Sequence, residues 1–243
     1  MADRQILKVS GAEARDFLQG LISNDVKRAD EGLAYAALLT PQGKYLADFF
    51  LWREGEDYFL DVANGLAAGL LQRLKMYKLR AKVEIAPVEM TVAALADAVE
   101  GAMPDPRWDG MGWRHYGATG GMDRADYDRR RVAGVVPETG IELIPNETYL
   151  VEAGFERLSG VDFRKGCYVG QEVTARMKHK TELRKGLVGV EVEGAAPVGT
   201  EIMAGEKPAG TLYTQAGGRG IAYLRFDRAG GEMMAGEAVV RRG

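Results

Sequence analysis

Lys165-Gly166-Cys167-Tyr168-Val169-Gly170-Gln171-Glu172 is the stretch from which the rest of this 243-residue chain is read. It holds the chain's only cysteine, between two glycines and just after Arg164 and Lys165. A lone cysteine in an apolar setting is by default a small buried hydrophobe. Here the cationic neighbours favour a nucleophilic or ligating thiol. The glycines permit a tight turn that presents the side chain instead of a regular element that hides it. Two readings of Cys167 therefore stand, a presented functional thiol and a buried structural one, and the local chemistry favours the first.

The chain is long enough to bury a sizeable core, as one large domain or two to three small ones. With 28% charged residues, 46% hydrophobic residues and a net charge of -3, it has no global pull toward nucleic acid or an anionic membrane. Direct nucleic-acid binding and membrane association are not expected. One cysteine excludes an internal disulfide and a cysteine-only metal site, so no metal-ligand set is expected. The opening residues place Asp3 and Arg4 in a short apolar alternation, unlike a signal peptide. No stretch is apolar enough to span a bilayer. The expectation is a cytoplasmic protein.

Along the chain, Gln5 through Val9 alternate as a short strand, and Ser10 with Glu13 has capping-box spacing for a helix through Phe17 and Leu18 that stops at Gly20. Asn24 and Asp25 read as turn-capping residues. Residues 33–39 and 45–52 form a hairpin around Thr40-Pro41-Gln42-Gly43. Its second arm holds Asp48 among Leu46, Ala47, Phe49 and Phe50; strand alternation favours a solvated face for it, with chemistry as the alternative. A strand at 58–62 leads into a helix capped by Asn64, whose Leu66, Leu70, Leu74 and Tyr77 recur at helical spacing and so form core. Arg73, Lys75, Lys78, Arg80 and Lys82 make its end basic, which complements the negative end of the helix dipole. Further strands are expected at 83–85, 91–95 and 112–116, with a basic helix at 125–135.

Glu152, amid apolar neighbours in 149–155, poses the same question as Asp48. The run Arg176-Met177-Lys178-His179-Lys180-Thr181-Glu182-Leu183-Arg184-Lys185 is the strongest local concentration of positive charge, either a solvated linker or an anion-binding rim. From Gly186 onward, short strands at 187–192, 200–203, 208–213, 220–224 and 238–240 alternate with glycine turns and predict a small β-barrel or sandwich. The mixed helices and strands before Gly186 and the strand-rich tail after it give an α+β chain that ends in a C-terminal small β-barrel or sandwich.

Five motifs in order then point to one family: Phe17-Leu18-Gln19-Gly20, Asn24-Asp25-Val26, Thr40-Pro41-Gln42-Gly43-Lys44, Met76-Tyr77-Lys78-Leu79-Arg80 and the 165–172 stretch. The chain resembles the YgfZ family of folate-binding proteins, which includes the mitochondrial iron-sulfur assembly factors and is related in fold to the aminomethyltransferase (T-protein) of the glycine cleavage system. The resemblance covers nearly the whole chain, and from Ile144 through Lys185 it looks closest to the branch with the mitochondrial factors. It implies an α+β, aminomethyltransferase-like folate-binding fold around a central pocket, with residues 1–182 in two subdomains meeting near residue 86 and a C-terminal small β-barrel over 183–243. Asp48 falls where the related aminomethyltransferases carry a catalytic aspartate, Glu152 where a glutamate binds the pterin ring, and Tyr35 and Arg184 where a tyrosine and an arginine lie near folate. In the signature itself, Cys167 with Lys165 is the implied reactive pair, and Tyr168, Gln171 and Glu172 are implied to contact the cofactor.

The implied cofactor is tetrahydrofolate or a one-carbon-substituted form. Glu152 would bind the donor-acceptor edge of the pterin, and Tyr35 would wall its face. Arg176, Lys178, Lys180, Arg184 and Lys185 would complement the anionic glutamate tail. A cluster normally takes four ligands, so any cluster role for Cys167 would use a partner chain, glutathione or a transfer step. The implied function is a tetrahydrofolate-binding accessory protein that supports iron-sulfur cluster assembly or repair in client enzymes, tRNA-modifying enzymes included, through transient contacts with assembly proteins or clients. The alternative is a folate-dependent one-carbon transferase in which Asp48 positions the folate amine, with glycine cleavage itself set aside.

Overall fold

The computed structural model describes residues 3–180 and 182–242, with the Lys180 side chain also left aside. Its first part is an antiparallel sheet of β1 (Arg4–Ser10), β2 (Ala34–Leu39), β3 (Tyr45–Glu54), β4 (Asp57–Ala63) and β5 (Glu84–Val88), in the order β2-β3-β4-β1-β5. The hairpin forms as the turn residues predict, with Tyr35 opposite Phe50 and Ala37 opposite Asp48. Helices α1 (Ala14–Gln19) and α2 (Asn64–Lys78) supply Leu18, Leu70 and Leu74 to the core on one face of the sheet, beside Leu38 and Phe49. Tyr35, Phe50, Trp52 and Phe155 fill the core on the other face.

Because both faces are covered, all six residues of β2 and the first eight of β3 are buried. This overturns the solvated face expected for Asp48, which is 5% exposed. The capping box at Ser10 is not made either. Glu13 precedes α1, and its carboxylate accepts the Lys82 N–H at 2.5 Å. That contact follows from a close approach of the two segments, since a Cβ on Gly11 would lie 2.3 Å from the Lys82 carbonyl oxygen. Asn64 opens α2 without a side-chain cap. Asp25 does cap, accepting from the Lys27 N–H at 2.9 Å. Asn24 is more than a turn residue, since its Nδ2 donates to the carbonyls of Tyr35 (2.8 Å) and Ser159 (2.7 Å).

A second, three-stranded sheet of β6 (Val92–Leu95), β7 (Met103–Pro104) and β8 (Trp113–Tyr116) runs in the order β6-β8-β7. Buried charge couples it to the first sheet. Asp61 on β4 accepts from Arg4 (2.5 Å), Arg114 (2.9 Å) and Tyr116 (3.0 Å), and the Arg114 guanidinium lies 3.7 Å from the centre of the Phe50 ring. The basic helix follows as α3 (Arg124–Gly134), capped by Asp123. Within the basic run, residues expected to form a linker or a rim instead form α4 (Gln171–Lys180), and Thr181 lies outside the described residues.

The C-terminal strands β9 (Lys185–Glu193), β10 (Thr200–Ala204), β11 (Lys207–Ala216), β12 (Arg219–Arg225), β13 (Glu232–Ala235) and β14 (Ala238–Arg242) close a barrel in the order β10-β11-β12-β9-β14-β13 around Val190, Ile202, Leu212, Leu224 and Val240. The barrel is fastened to the rest through Arg131 on α3, which is fully buried. Its Nη1 donates to Glu142 at 3.0 Å and its Nη2 to Thr214 Oγ1 on β11 at 2.8 Å, while Glu142 accepts the Thr214 hydroxyl at 2.5 Å. Removing one member of a buried pair strands the other charge. Arg131→Met is therefore expected to cost about 3 to 5 kcal/mol in urea unfolding, and Arg131→Met with Glu142→Leu is expected to recover a large part of that loss; equal losses in the single and double variants would show that the pair is not coupled.

Candidate functional site

Two of the resemblance motifs meet the 165–172 loop directly. Gly166 and Gly170 both take positive φ, +97° and +83°. A Cβ on Gly170 would lie 2.6 Å from the Thr40 carbonyl oxygen and 3.1 Å from the Gly43 Cα, so the hairpin turn seats on the loop through two bare backbones. From the other side Gln19 clasps Lys165: Gln19 Nε2 donates to the Lys165 carbonyl at 3.2 Å, and Lys165 Nζ donates to the carbonyls of Gln19 and Ile22, both at 2.6 Å. The loop is thus held at both ends, and Cys167 between them is exposed. The exposure sets aside the buried structural reading of the thiol. Lys165 is committed to these carbonyls, which makes it an anchor of the loop. Burial pulls its amine down from an ordinary 10.5 to about 8, against the pull of Asp25 and Asp162.

Tyr168 is buried in the second core, and burial pushes its hydroxyl up to about 12. Gln171 and Glu172 open α4; the Gln171 N–H donates to the Tyr168 carbonyl at 3.2 Å, and the Glu172 side chain is exposed. The geometry gives Tyr168 a packing role.

Asp48 lies elsewhere, inside the sheet. Its carboxylate accepts hydroxyl protons from Tyr35 (2.9 Å), Tyr45 (2.6 Å) and Thr139 (2.5 Å). Burial, followed by the Asp48 charge, pushes both tyrosine hydroxyls well above their ordinary value. Tyr35 is fully buried and stacks on Phe155, with ring centroids 5.1 Å apart. It is a core residue here, and the expectation that it walls a ligand is not met.

Glu152 stands in a cleft between the barrel and the preceding residues. Its backbone is pinned to β9, where the Leu187 N–H donates to the Glu152 carbonyl at 2.8 Å. Its side chain accepts the Tyr223 hydroxyl at 2.6 Å and lies 3.9 Å from Lys185 Nζ. Burial and the Glu152 carboxylate together hold the Tyr223 hydroxyl far above its ordinary value. A cavity of about 220 Å³ opens here, lined by Glu152, Tyr213, Tyr223, Leu187, Lys185 and Glu142 among others. A neighbouring space of about 310 Å³ shares Glu152 and Lys185 and adds Arg184, Arg225 and Met177.

The arrangement suits a flat heterocycle that offers donors to a carboxylate, with an anionic tail toward the arginines. Cavities for drug-sized ligands run from about 300 Å³ upward, so the first space takes a ring and the second must take the remainder. Of the five cations proposed for the tail, Arg184 and Lys185 line these spaces. Lys178 pairs with Glu156 at 2.5 Å and lines a different groove with Arg28, Arg164 and His179. Tyr213 and Tyr223 were missed in the sequence. Their signal was one tyrosine in each of two neighbouring barrel strands, β11 and β12, with no other aromatic residue in either.

Two family models match the chain: the GCVT N-terminal domain over residues 3–101 and the CAF17 C-terminal beta-barrel domain over residues 184–242. The chain is similar to the mitochondrial iron-sulfur cluster assembly factor IBA57 of Mus musculus, 31% identical over 95% of this chain and 78% of the mouse protein. The human IBA57 is 29% identical over the same shares, and the mitochondrial IBA57 homolog of Mycosarcoma maydis is 32% identical over 76% of this chain. The match spans only 54% of that fungal protein. In fold the chain is similar to the glycine cleavage system aminomethyltransferase T from Bartonella henselae, with a TM-score of 0.77 at 14% identity, covering 98% of this chain and 81% of that one. The expected cytoplasmic location is corrected by these comparisons, because the relatives are mitochondrial proteins.

Two measurements test the loop. Gly170→Ala is expected to lose about 2 kcal/mol or more in urea unfolding, since it adds a backbone clash to the cost of positive φ, whereas Gly166→Ala, with open space around it, should lose only about 1 kcal/mol; equal losses would mean that the hairpin does not seat on Gly170. Between about pH 8 and the ordinary lysine value, the unfolded chain holds a proton at Lys165 that the folded chain has released. Wild-type stability relative to Lys165→Met should therefore rise with pH from about 8 to 10, and a flat difference would place the amine in water.

Proposed function

The chain belongs to the IBA57 family of iron-sulfur cluster assembly factors, and on that premise we propose that it is a tetrahydrofolate-binding accessory protein that supports cluster assembly or repair in client enzymes, with Cys167 as its functional thiol. One observation carries the reading: the hairpin turn and Gln19 converge on a loop that leaves the Cys167 thiol exposed. A loop held so firmly, with its thiol left uncovered, is built for contact with something outside the chain. The same 165–172 signature supports kinship with the YgfZ branch, and tRNA-modifying enzymes are clients in keeping with it.

The Glu152 cleft supports the folate half of the proposal. Glu152 would bind the pterin edge, and the hydrogen bond from Tyr223 fixes the carboxylate that does so. Tyr213 and Tyr223 would wall the ring in place of Tyr35. Arg184, Lys185 and Arg225 would hold the glutamate tail as charge-assisted partners. When bound, tetrahydrofolate supplies a one-carbon carrier on its ring nitrogens. Cys167 would give one thiolate to a cluster carried as cargo, shedding its proton as it ligates, with the remaining ligands coming from an assembly protein or client.

One-carbon transfer, the alternative, needs the Asp48 carboxylate to face the folate amine. Three hydroxyl donors already occupy it, and it lines neither Glu152 cavity, so the geometry favours the accessory role. The test is calorimetric titration of tetrahydrofolate into the wild type, Glu152→Ala and Cys167→Ser. Affinity on the order of micromolar for the wild type, weakened about 10- to 100-fold in Glu152→Ala and unchanged in Cys167→Ser, is expected. Cys167→Ser should in turn fail to restore iron-sulfur enzyme activity to cells lacking the protein. Absence of wild-type binding would overturn the folate reading and leave family membership standing.

A further inference from the structure

The Met76-Tyr77-Lys78-Leu79-Arg80 motif contributes to neither the 165–172 loop contacts nor the Glu152 cavities. It ends α2 in an unusual way. Leu79 takes φ +44° and ψ -104°, a backbone conformation that costs an L-residue free energy. The side chain displayed in this way is 88% exposed, and that of Met76 is 67% exposed, the two highest values for large apolar residues among those described. Arg73, Lys75, Arg80 and Lys82 around them are exposed and Lys78 is half-buried, and none of the five forms an ion pair among the described residues. The helix dipole accounts for cations in the last turn, Lys75 and Lys78. It does not account for Arg80 and Lys82 beyond the helix, nor for the apolar pair.

The segment is held firmly. Leu74 before it and Val83 after it are buried at 0% and 2% exposure. The Ala81 N–H donates to the Lys78 carbonyl at 2.7 Å and the Val83 N–H to that of Ala81 at 2.9 Å. Glu13 takes the Lys82 N–H, and Gly11 closes against the Lys82 carbonyl. An unfavourable backbone is therefore fixed in place while the side chain it presents is left in water.

We propose that Met76 and Leu79, with the five cations around them, form a docking surface for a protein partner that offers an apolar pocket with an acidic rim. An apolar centre within a polar rim is the anatomy of a protein interface, and the unpaired cations would guide and orient an acidic partner. A fixed leucine conformation matters to a shaped pocket. A fluid bilayer or a phosphate backbone would ask only for bulk or charge. The surface is separate from Cys167 and Glu152, so its test is independent of the folate reading.

The test uses the full chain with a photo-crosslinking residue in place of Leu79, expressed in cells, followed by purification of the crosslinked protein and its titration against variants. The expected result is a partner with an acidic surface whose affinity for the wild type falls as salt rises. Leu79→Gly should weaken that affinity about tenfold or more while raising the melting temperature by about 2 to 6 °C, because glycine relieves the backbone. Lys75→Glu with Arg80→Glu should weaken it as strongly, and both variants should bind tetrahydrofolate like the wild type. Wild-type affinity in Leu79→Gly, a melting temperature lowered by that change, or no crosslink at position 79 would each overturn the proposal. So would binding to phosphatidylcholine–cardiolipin vesicles or to tRNA that the same substitutions abolish, which would assign the surface to lipid or RNA instead.

Discussion

Arg131 and Glu142 are both buried and bond to each other and to Thr214 on the barrel, while Asp128, Glu138 and the Val136 carbonyl take further Arg131 donors and Glu142 also accepts the Glu138 N–H. Taking two charges out of water is costly, and the attraction between them offsets that cost only when the geometry is good and the remaining donors are used. A joint of this kind has little tolerance for sliding. It sets the barrel at one position against α3 and the residues that follow it, and the cleft at Glu152 exists because of that position. One wall brings Glu152 from the long irregular segment, the other brings Tyr213 and Tyr223 from the barrel, and Glu142 itself lines the same cavity. An apolar contact of equal area would hold the two parts together without fixing which tyrosine meets which carboxylate.

Covering the first sheet on both faces has a second consequence. Every polar group on β2 and on the buried part of β3 must find its partners inside the protein, and Asp48 finds three. In doing so it becomes a structural hub that links the hairpin to Thr139. The aminomethyltransferase-like fold is shared, with a TM-score of 0.77 to the Bartonella henselae enzyme, and within it Asp48 has all of its bonds inside the protein. Likeness of fold leaves the chemistry open, because a site depends on a few side chains and the fold on many.

Legibility in the sequence followed the strength of local patterns. The hairpin around Thr40-Pro41-Gln42-Gly43, the Leu70 and Leu74 stripe of α2 and most barrel strands were visible, because turn chemistry and periodicity act within a few residues. β13 was not, since Glu232-Met233-Met234-Ala235 has no β-branched residue and gains its place only by pairing with β10 and β14. α4 was hidden by its charge, which reads as linker until Gly170 and Gly43 bring its first turn against the hairpin. The Glu152 site was half legible: the carboxylate stood out among apolar neighbours, but Tyr223 lies 71 residues away in sequence, and no local rule joins them. Tyr35 misled for the matching reason, since burial on both faces of a sheet cannot be seen from one strand.

Residues that break a local rule separate by whether the rest of the chain repays the breach. Val135, at φ +49°, ends α3 with its N–H bonded to the Val132 carbonyl and its own carbonyl accepting from Arg157. Ser159, at φ +54°, offers its carbonyl to Asn24, and Asn146, at φ +66°, is of a type that tolerates the region and donates its N–H to the Tyr45 carbonyl. Leu79 makes no such capping bond among the described residues, and its side chain is in solvent. Strain that packing and hydrogen bonding do not compensate within the molecule is retained where something outside it is met. The loop at Cys167 shows a related contrast: Gly170 and Lys165 are engaged against the hairpin turn and the end of α1, and the thiol between them is exposed.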